Sequence, residues 1–240
     1  MGATISAIVF RPPPPTYLAP SRFFYVDTKC PDSDDPKHDG KGRIPAFFIK
    51  RRTAKATFLF SHGNAEDLGM MYPRMKSMSR ALNVNIFAYD YCGYGRSTGI
   101  ASQANCFANI EACYNYLVTD RNILPEQIVL YGRSLGSGVS CYLAAKTASE
   151  GRSVGGMILH SPFLSIYRVA VDIGFTIPTD IFPNVKYAPQ IKCPSLIIHG
   201  KNDDIVPFWH GQALLNAIPP SYRARPLWAD NCGHNHIESV

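Results

Sequence analysis

The chain has 240 residues, 46% hydrophobic and 18% charged, with a formal net charge of +6. That length carries a large core and the composition is globular, which sets aside disordered and fibrous classes. No apolar run approaches the roughly eighteen residues needed to span a bilayer. The positive excess forms no dense block of the kind that binds nucleic acid.

The amino end, MGATIS, matches the M-G-x-x-x-[ST] pattern and makes Gly2 a candidate for N-myristoylation, although a pattern fixing two positions after Met1 also arises by chance. RPPPPTYLAP (11–20) reads as stiff and extended, because proline fixes φ and bars both helix and central strand. Residues 1–20 are accordingly expected to be an N-terminal anchor and Pro-rich spacer, with one folded domain over 21–240. Next, FFYVDT (23–28) and IPAFFIK (44–50) predict an antiparallel pair joined by a charged, solvated loop. Short apolar runs ending in polar or glycine turns follow: TFLFSHG (57–63), NIFAYDYCG (85–93), IVLYGRS (128–134), GMILHS (156–161) and SLIIHG (195–200). Such runs read as strands buried on both faces. Between them, Met71, Met75, Met78 and Leu82, and then Phe107, Ile110, Tyr114, Leu117 and Val118, recur at helical spacing as core stripes. Alternating strands and helices imply an α/β fold with a mostly parallel sheet covered on both sides.

The seven cysteines are scattered, odd in number and without C-x-x-C spacing. They indicate neither a zinc site nor a disulfide framework and fit a reducing, intracellular setting.

In open parallel sheets functional groups gather at the carboxyl ends of the strands. Gly132-Arg133-Ser134-Leu135-Gly136 is a G-x-S-x-G sequence between a strand and a helix-like run. In that context the glycines permit a strained elbow that holds the Ser134 hydroxyl out; otherwise they pack an ordinary tight turn. A serine needs a base, and histidine titrates in the right range. Of seven histidines, His234 in ADNCGHNH stands on a late loop able to return over the sheet, with His210 and His236 as weaker rivals. The H-x-H spacing at 234 and 236 lacks the partners of a metal site, and neither metal nor cofactor is implied. Asp203, just past SLIIHG, is the candidate orienting acid, with Asp204 beside it. The order Ser134, Asp203, His234 is the chain order of the α/β-hydrolase triad. Backbone N–H groups of Leu135 and of either Asn64 or Ala65, in SHGNAEDLG, are the oxyanion-hole candidates.

With LFSHGNAEDLG, NIFAYDYCGYGRSTG, VLYGRSLGSG, ILHSPFLS, FPNV, LIIHGKNDDIVPFWHG and PLWADNCGHNHIE, the chain from about residue 12 onward resembles the alpha/beta-hydrolase domain-containing protein 17 family of protein depalmitoylases. The resemblance implies an α/β-hydrolase fold of about eight strands with helices on both faces and a short lid insertion. It also implies a serine hydrolase that removes S-palmitoyl groups from membrane-bound proteins at the cytoplasmic membrane surface. A lipid esterase or lipase would use the same triad, and a silent acyl-binding scaffold would keep only the fold. The lid region, 160–185, offers Phe163, Leu164, Ile166, Phe175 and Phe182 for an acyl groove, or equally for a plain core helix. Three departures stand out. The family usually carries a cysteine-rich N-terminus whereas the first cysteine here is Cys30, so that Gly2 would have to supply the anchor; His236 occupies a position where aspartate is common; and little closing helix follows the histidine loop.

Overall fold

The computed structural model describes residues 9–18, 22–32, 40–171 and 180–237. Gly2 and Phe175 lie outside them. Contacts divide the chain into two compact units, Met1–Ile128 and Val129–Val240.

In the first unit β1 (Phe24–Lys29) and β2 (Lys41–Ile49) form the expected antiparallel pair. β4 (Asn85–Tyr89) follows, antiparallel to β2, and then β3 (Thr57–Ser61), parallel to β4. β3 is buried at every residue, whereas β1 alternates between buried and exposed. A continuous apolar run suits a strand covered on both faces; alternation suits one with a wet face. Burying a side chain such as Leu59 or Phe60 contributes about 1.5–3 kcal/mol.

α1 (Leu68–Leu82) starts where the Asp67 carboxylate accepts the Met70 N–H (3.0 Å) and stops at Asn83, whose φ of 52° turns the chain left-handed. Its buried face is Leu68, Met71, Met75 and Ser79. Leu82, expected in that stripe, is 56% exposed because it sits at the turn-off. Ser79 takes the inner position instead, its hydroxyl donating to Val84 O (2.7 Å). α2 (Gln103–Asn115) continues into one π-helical turn, Tyr116–Asp120.

The second unit is wholly parallel in its strands: β5 (Ile128–Arg133), β6 (Gly156–His160), β7 (Ser195–Gly200) and β8 (Leu227–Ala229), in that order. α3 (Leu135–Ser149) is buried along most of its length, which its glycines, serines and alanines permit. Gly138 is one such close approach, since a Cβ there would lie 2.6 Å from the Phe182 ring. After β6 come α4 (Ile166–Val171) and α5 (Asn184–Tyr187), the base of this segment closed by Ile166 N–H donating to Ile181 O (3.0 Å). α6 (Trp209–Ala217) precedes β8. The eight strands, mostly parallel and interleaved with helices, make this the expected α/β fold. All seven cysteines are buried free thiols.

One buried acid stands out in the first unit. Asp90 is wholly buried; its carboxyl accepts the Leu68 N–H (3.0 Å) and the Tyr17 hydroxyl. Burial pushes its pKa up from 3.8 to about 8, the Tyr17 bond opposing and the nearby Asp67 charge assisting. The folded state therefore holds a proton that the unfolded chain has released between those values. This contribution to stability is complete below the unfolded pKa and is lost as pH rises through the folded one, at up to about 1.4 kcal/mol per pH unit. Asp90→Asn keeps the acceptor for Leu68 and should flatten the fall in stability between pH of about 4 and about 8, measured by denaturant unfolding. An unchanged slope would assign it to other groups.

Candidate active site

The G-x-S-x-G sequence carries β5 into α3, and Ser134 turns the corner with φ 49° and ψ −112°. A non-glycine residue rarely adopts positive φ, and such strain costs on the order of 1–3 kcal/mol. The surroundings hold it there: Ser134 N–H donates to His160 O (2.9 Å) and Ser137 N–H to Ser134 O (2.9 Å). Gly132 must be glycine, since a Cβ would come 2.4 Å from Gly136 O. Leu135 is the first residue of α3, so its N–H is one of those a helix leaves without an intrahelical carbonyl.

His234 lies on the loop after β8, which is laced to the end of β7. Lys201 N–H donates to Ala229 O (2.9 Å) and Asn202 N–H to Cys232 O (3.0 Å), and a Cβ on Gly200 would fall 2.2 Å from Cys232 O. A second tie comes from the elbow: the buried Arg133 guanidinium donates to Asn235 Oδ1 at 2.6 Å. The residue before the serine is thus bonded to the residue after the imidazole.

His234 Nδ1 donates to Asp203 Oδ2 at 2.8 Å, and His234 is only 6% exposed. Asp203 Oδ1 accepts the backbone N–H groups of Ile205 (3.0 Å) and Val206 (2.8 Å). His199 Nε2 stands 3.2 Å from Oδ2 and 2.9 Å from Val206 O. Burial alone would raise the Asp203 pKa. The hydrogen bonds from His199 and His234, the imidazolium charge of His234 and the Val206 N–H outweigh it and hold the carboxyl well below the usual range. It stays charged wherever the imidazole works.

The rivals sit elsewhere. Asp204 is exposed, His236 is exposed, and His210 is buried on α6 accepting the Leu164 N–H (3.2 Å). His160 faces the Tyr131 hydroxyl at 3.3 Å. Phe163, Leu164 and Phe182 are buried, while Ile166 is half-buried.

In the first unit the SHGNAED turn follows β3, with Ala65 at φ 57°. Gly63 N–H donates to Glu66 Oε2 (2.9 Å) and Ala65 N–H to Asn64 Oδ1 (3.2 Å). The Asn64 N–H makes no hydrogen bond among the described residues. His62 is buried, its ring 4.3 Å from that of Tyr91.

Sequence reasoning missed His199, filed as the end of a strand, and the Arg133–Asn235 tie. The signal for the first was its spacing: His199 and Asp203 lie four apart across the strand's terminal turn. Nothing in the sequence pairs Arg133 with Asn235.

The family model for serine aminopeptidase, S33, matches residues 52–187. The alpha/beta hydrolase domain-containing protein 17B of Homo sapiens is 37% identical over 99% of this chain and 86% of its own length. The alpha/beta hydrolase domain-containing protein aho-3 of Caenorhabditis elegans is 35% identical over 98% of this chain and 73% of its own. Among solved structures, an esterase of Pyrococcus furiosus superposes with a TM-score of 0.67 over 96% of this chain and 92% of its own. At 16% identity that likeness speaks for the fold alone.

Asp203→Asn should keep the fold but reverse the tautomer that Nδ1 holds, lowering turnover by about 10⁴-fold. Asp204→Asn should change it little. Steady-state kinetics of the two variants on one ester substrate decides between them; a large loss in the second variant alone would move the orienting role.

Proposed function

Because the chain belongs to the alpha/beta-hydrolase domain-containing protein 17 family of the alpha/beta hydrolase superfamily, we propose that it is a serine hydrolase that cleaves long-chain S-acyl thioesters from cysteine residues of membrane-bound proteins. The observation that carries this reading is the Asp203–His234 hydrogen bond, on a loop tied through Asn235 to Arg133, the residue before Ser134.

In this mechanism His234 Nε2 takes the Ser134 hydroxyl proton while Oγ attacks the thioester carbonyl carbon. Asp203, anionic and held on both oxygens, fixes the imidazole with Nδ1–H toward itself and stabilises the imidazolium. The developing oxyanion is received by the Leu135 N–H at the start of α3. Of the two donor candidates in the first unit, the Ala65 N–H is already bonded to the Asn64 side chain, which leaves Asn64. The C–S bond then breaks, and the imidazolium returns its proton to the departing cysteine sulfur. Water, deprotonated by His234, hydrolyses the acyl ester on Ser134 and releases the fatty acid. Ile166 on α4 is, of the described groove candidates, the one with surface to offer an acyl chain.

Membrane association belongs to the same reading. No described helix is long and apolar enough to cross a bilayer. A myristoyl group on Gly2 would bind with K of only about 10⁴ M⁻¹ and needs a second signal. The net charge of +6 supplies attraction to an anionic surface.

A fluorophosphonate probe should label the folded protein, and Ser134→Ala should abolish the labelling. Failure to label the native protein would leave an acyl-binding scaffold. Hydrolysis of a palmitoyl-thioester peptide should exceed that of the matched oxyester peptide and of a lipid ester; the reverse ranking would make the protein a lipid esterase. Gly2→Ala should shift the protein from the membrane to the soluble fraction of cells, and unchanged partition would rule out that anchor.

A further inference from the structure

A carboxylate offers about four acceptor positions, and at Asp203 four N–H groups come to them. Ile205 and Val206 bring their backbone N–H groups to Oδ1 at 3.0 and 2.8 Å. His234 Nδ1 stands 2.8 Å from Oδ2, and His199 Nε2 stands 3.2 Å from the same atom. Two of these donors shape the turn and a third is the catalytic imidazole. His199 has no role in the proposed mechanism.

His199, near the end of β7, is wholly buried. Its Nε2 faces two oxygens, Val206 O at 2.9 Å and Asp203 Oδ2 at 3.2 Å, and only a protonated nitrogen sits favourably between them. Its Nδ1 is buried and has no hydrogen-bond partner among the described residues. A Cβ on Gly211 would lie 2.5 Å from that nitrogen, so α6 passes too close to leave room for one. A proton on Nδ1 would be a buried donor left unsatisfied, which sets the ring as the neutral Nε2–H tautomer.

The ring is also held from its sides. Phe208 meets it edge to face, with centroids 5.8 Å apart, and Phe208 in turn meets Trp228 of β8 at 5.1 Å. Trp228 is the register partner of His199. Gly211, Phe208 and Trp228 carry no charge. The titratable groups against the ring among the described residues are Asp203 and, through the shared oxygen, His234. Burial pushes the Asp203 pKa up, and the His199 contact is the largest of those that bring it below the ordinary range.

We infer that His199 is a positioning residue: its Nε2–H, anchored on the Val206 carbonyl, fills the last acceptor position of Asp203, so that the carboxylate is fixed in its plane and presents Oδ2 to His234 in one direction with only part of its charge. The inference rests on the triad roles of Asp203 and His234 in the proposed mechanism. All the residues it uses lie in the second unit. An apolar side chain could fill the same space, but it would leave Oδ2 with a single donor.

The test compares His199→Gln with His199→Met in the full chain. The two side chains match in length and shape, and Gln alone can place an N–H near the position of Nε2. The readout is the rate constant of fluorophosphonate labelling at Ser134 as a function of pH, which does not depend on the natural substrate. In the Met variant the Oδ2 charge falls on His234 alone and favours the imidazolium. The acid limb of the profile should therefore move to higher pH by about one unit, and the plateau rate should fall by about 10- to 100-fold as the imidazole loses alignment. Gln should return the limb to its wild-type position and recover most of the rate. Coincident profiles in the two folded variants overturn the inference and leave His199 a packing residue. If neither variant folds, ¹⁵N-histidine NMR of the wild-type protein decides: a protonated Nε2 and a bare Nδ1 on His199 uphold the donor, and a protonated Nδ1 sinks it. Absence of labelling in the wild type would instead defeat the hydrolase reading, while the NMR measurement still reports on His199 by itself.

Discussion

The chemistry of the second unit depends on one carboxylate being kept charged out of water. Asp203 loses solvation on burial, which by itself favours the protonated acid. Two backbone N–H groups on one oxygen and two imidazoles near the other replace the lost water. That replacement has structural conditions. The chain must turn just after β7 to aim the Ile205 and Val206 N–H groups backward. Gly200 must be bare for the histidine loop to lie against it, and Gly211 must be bare because a Cβ there would meet the His199 ring at 2.5 Å. Local backbone and site electrostatics are one requirement here, expressed in glycine positions.

The framework was legible in sequence wherever a short-range pattern had a single physical meaning. Runs such as TFLFS and GMILH read as strands because they are short, bounded by turn residues and set between segments of helical spacing. The elbow was legible because a serine set among glycines between strand and helix has few other uses. Legibility failed where a residue's role is set by a distant partner. Ser79 displaced Leu82 from the core because helix termination and one hydroxyl bond outweighed periodicity. His199 looked like strand filling until its second neighbour was known. RPPPPTYLAP reads as stiff from its prolines, but stiffness does not say what the ends hold, and those partners lie more than fifty residues away.

Strain and its containment recur in both units. Ser134 and Ala65, each beside a predicted oxyanion donor, have positive φ. Neither is glycine, and each is pinned by hydrogen bonds on both sides of the bend. A backbone bent in this way presents an N–H that cannot relax toward an internal acceptor without undoing the bend. Preorganised donors of this kind are useful because no reorientation is needed when charge develops.

The distribution of sulfur has a chemical consequence of its own. All seven cysteines are interior, including Cys232, two residues from the imidazole and 3% exposed. Burial raises the thiol pKa of Cys92, Cys106, Cys113, Cys141 and Cys193, which suppresses the nucleophilic thiolate. A catalyst that passes acyl groups between sulfur and oxygen is exposed to self-acylation by exchange onto its own sulfur. Under the proposed thioester chemistry, a protein whose thiols are all interior is a poor acceptor for the acyl group, which leaves water to take it.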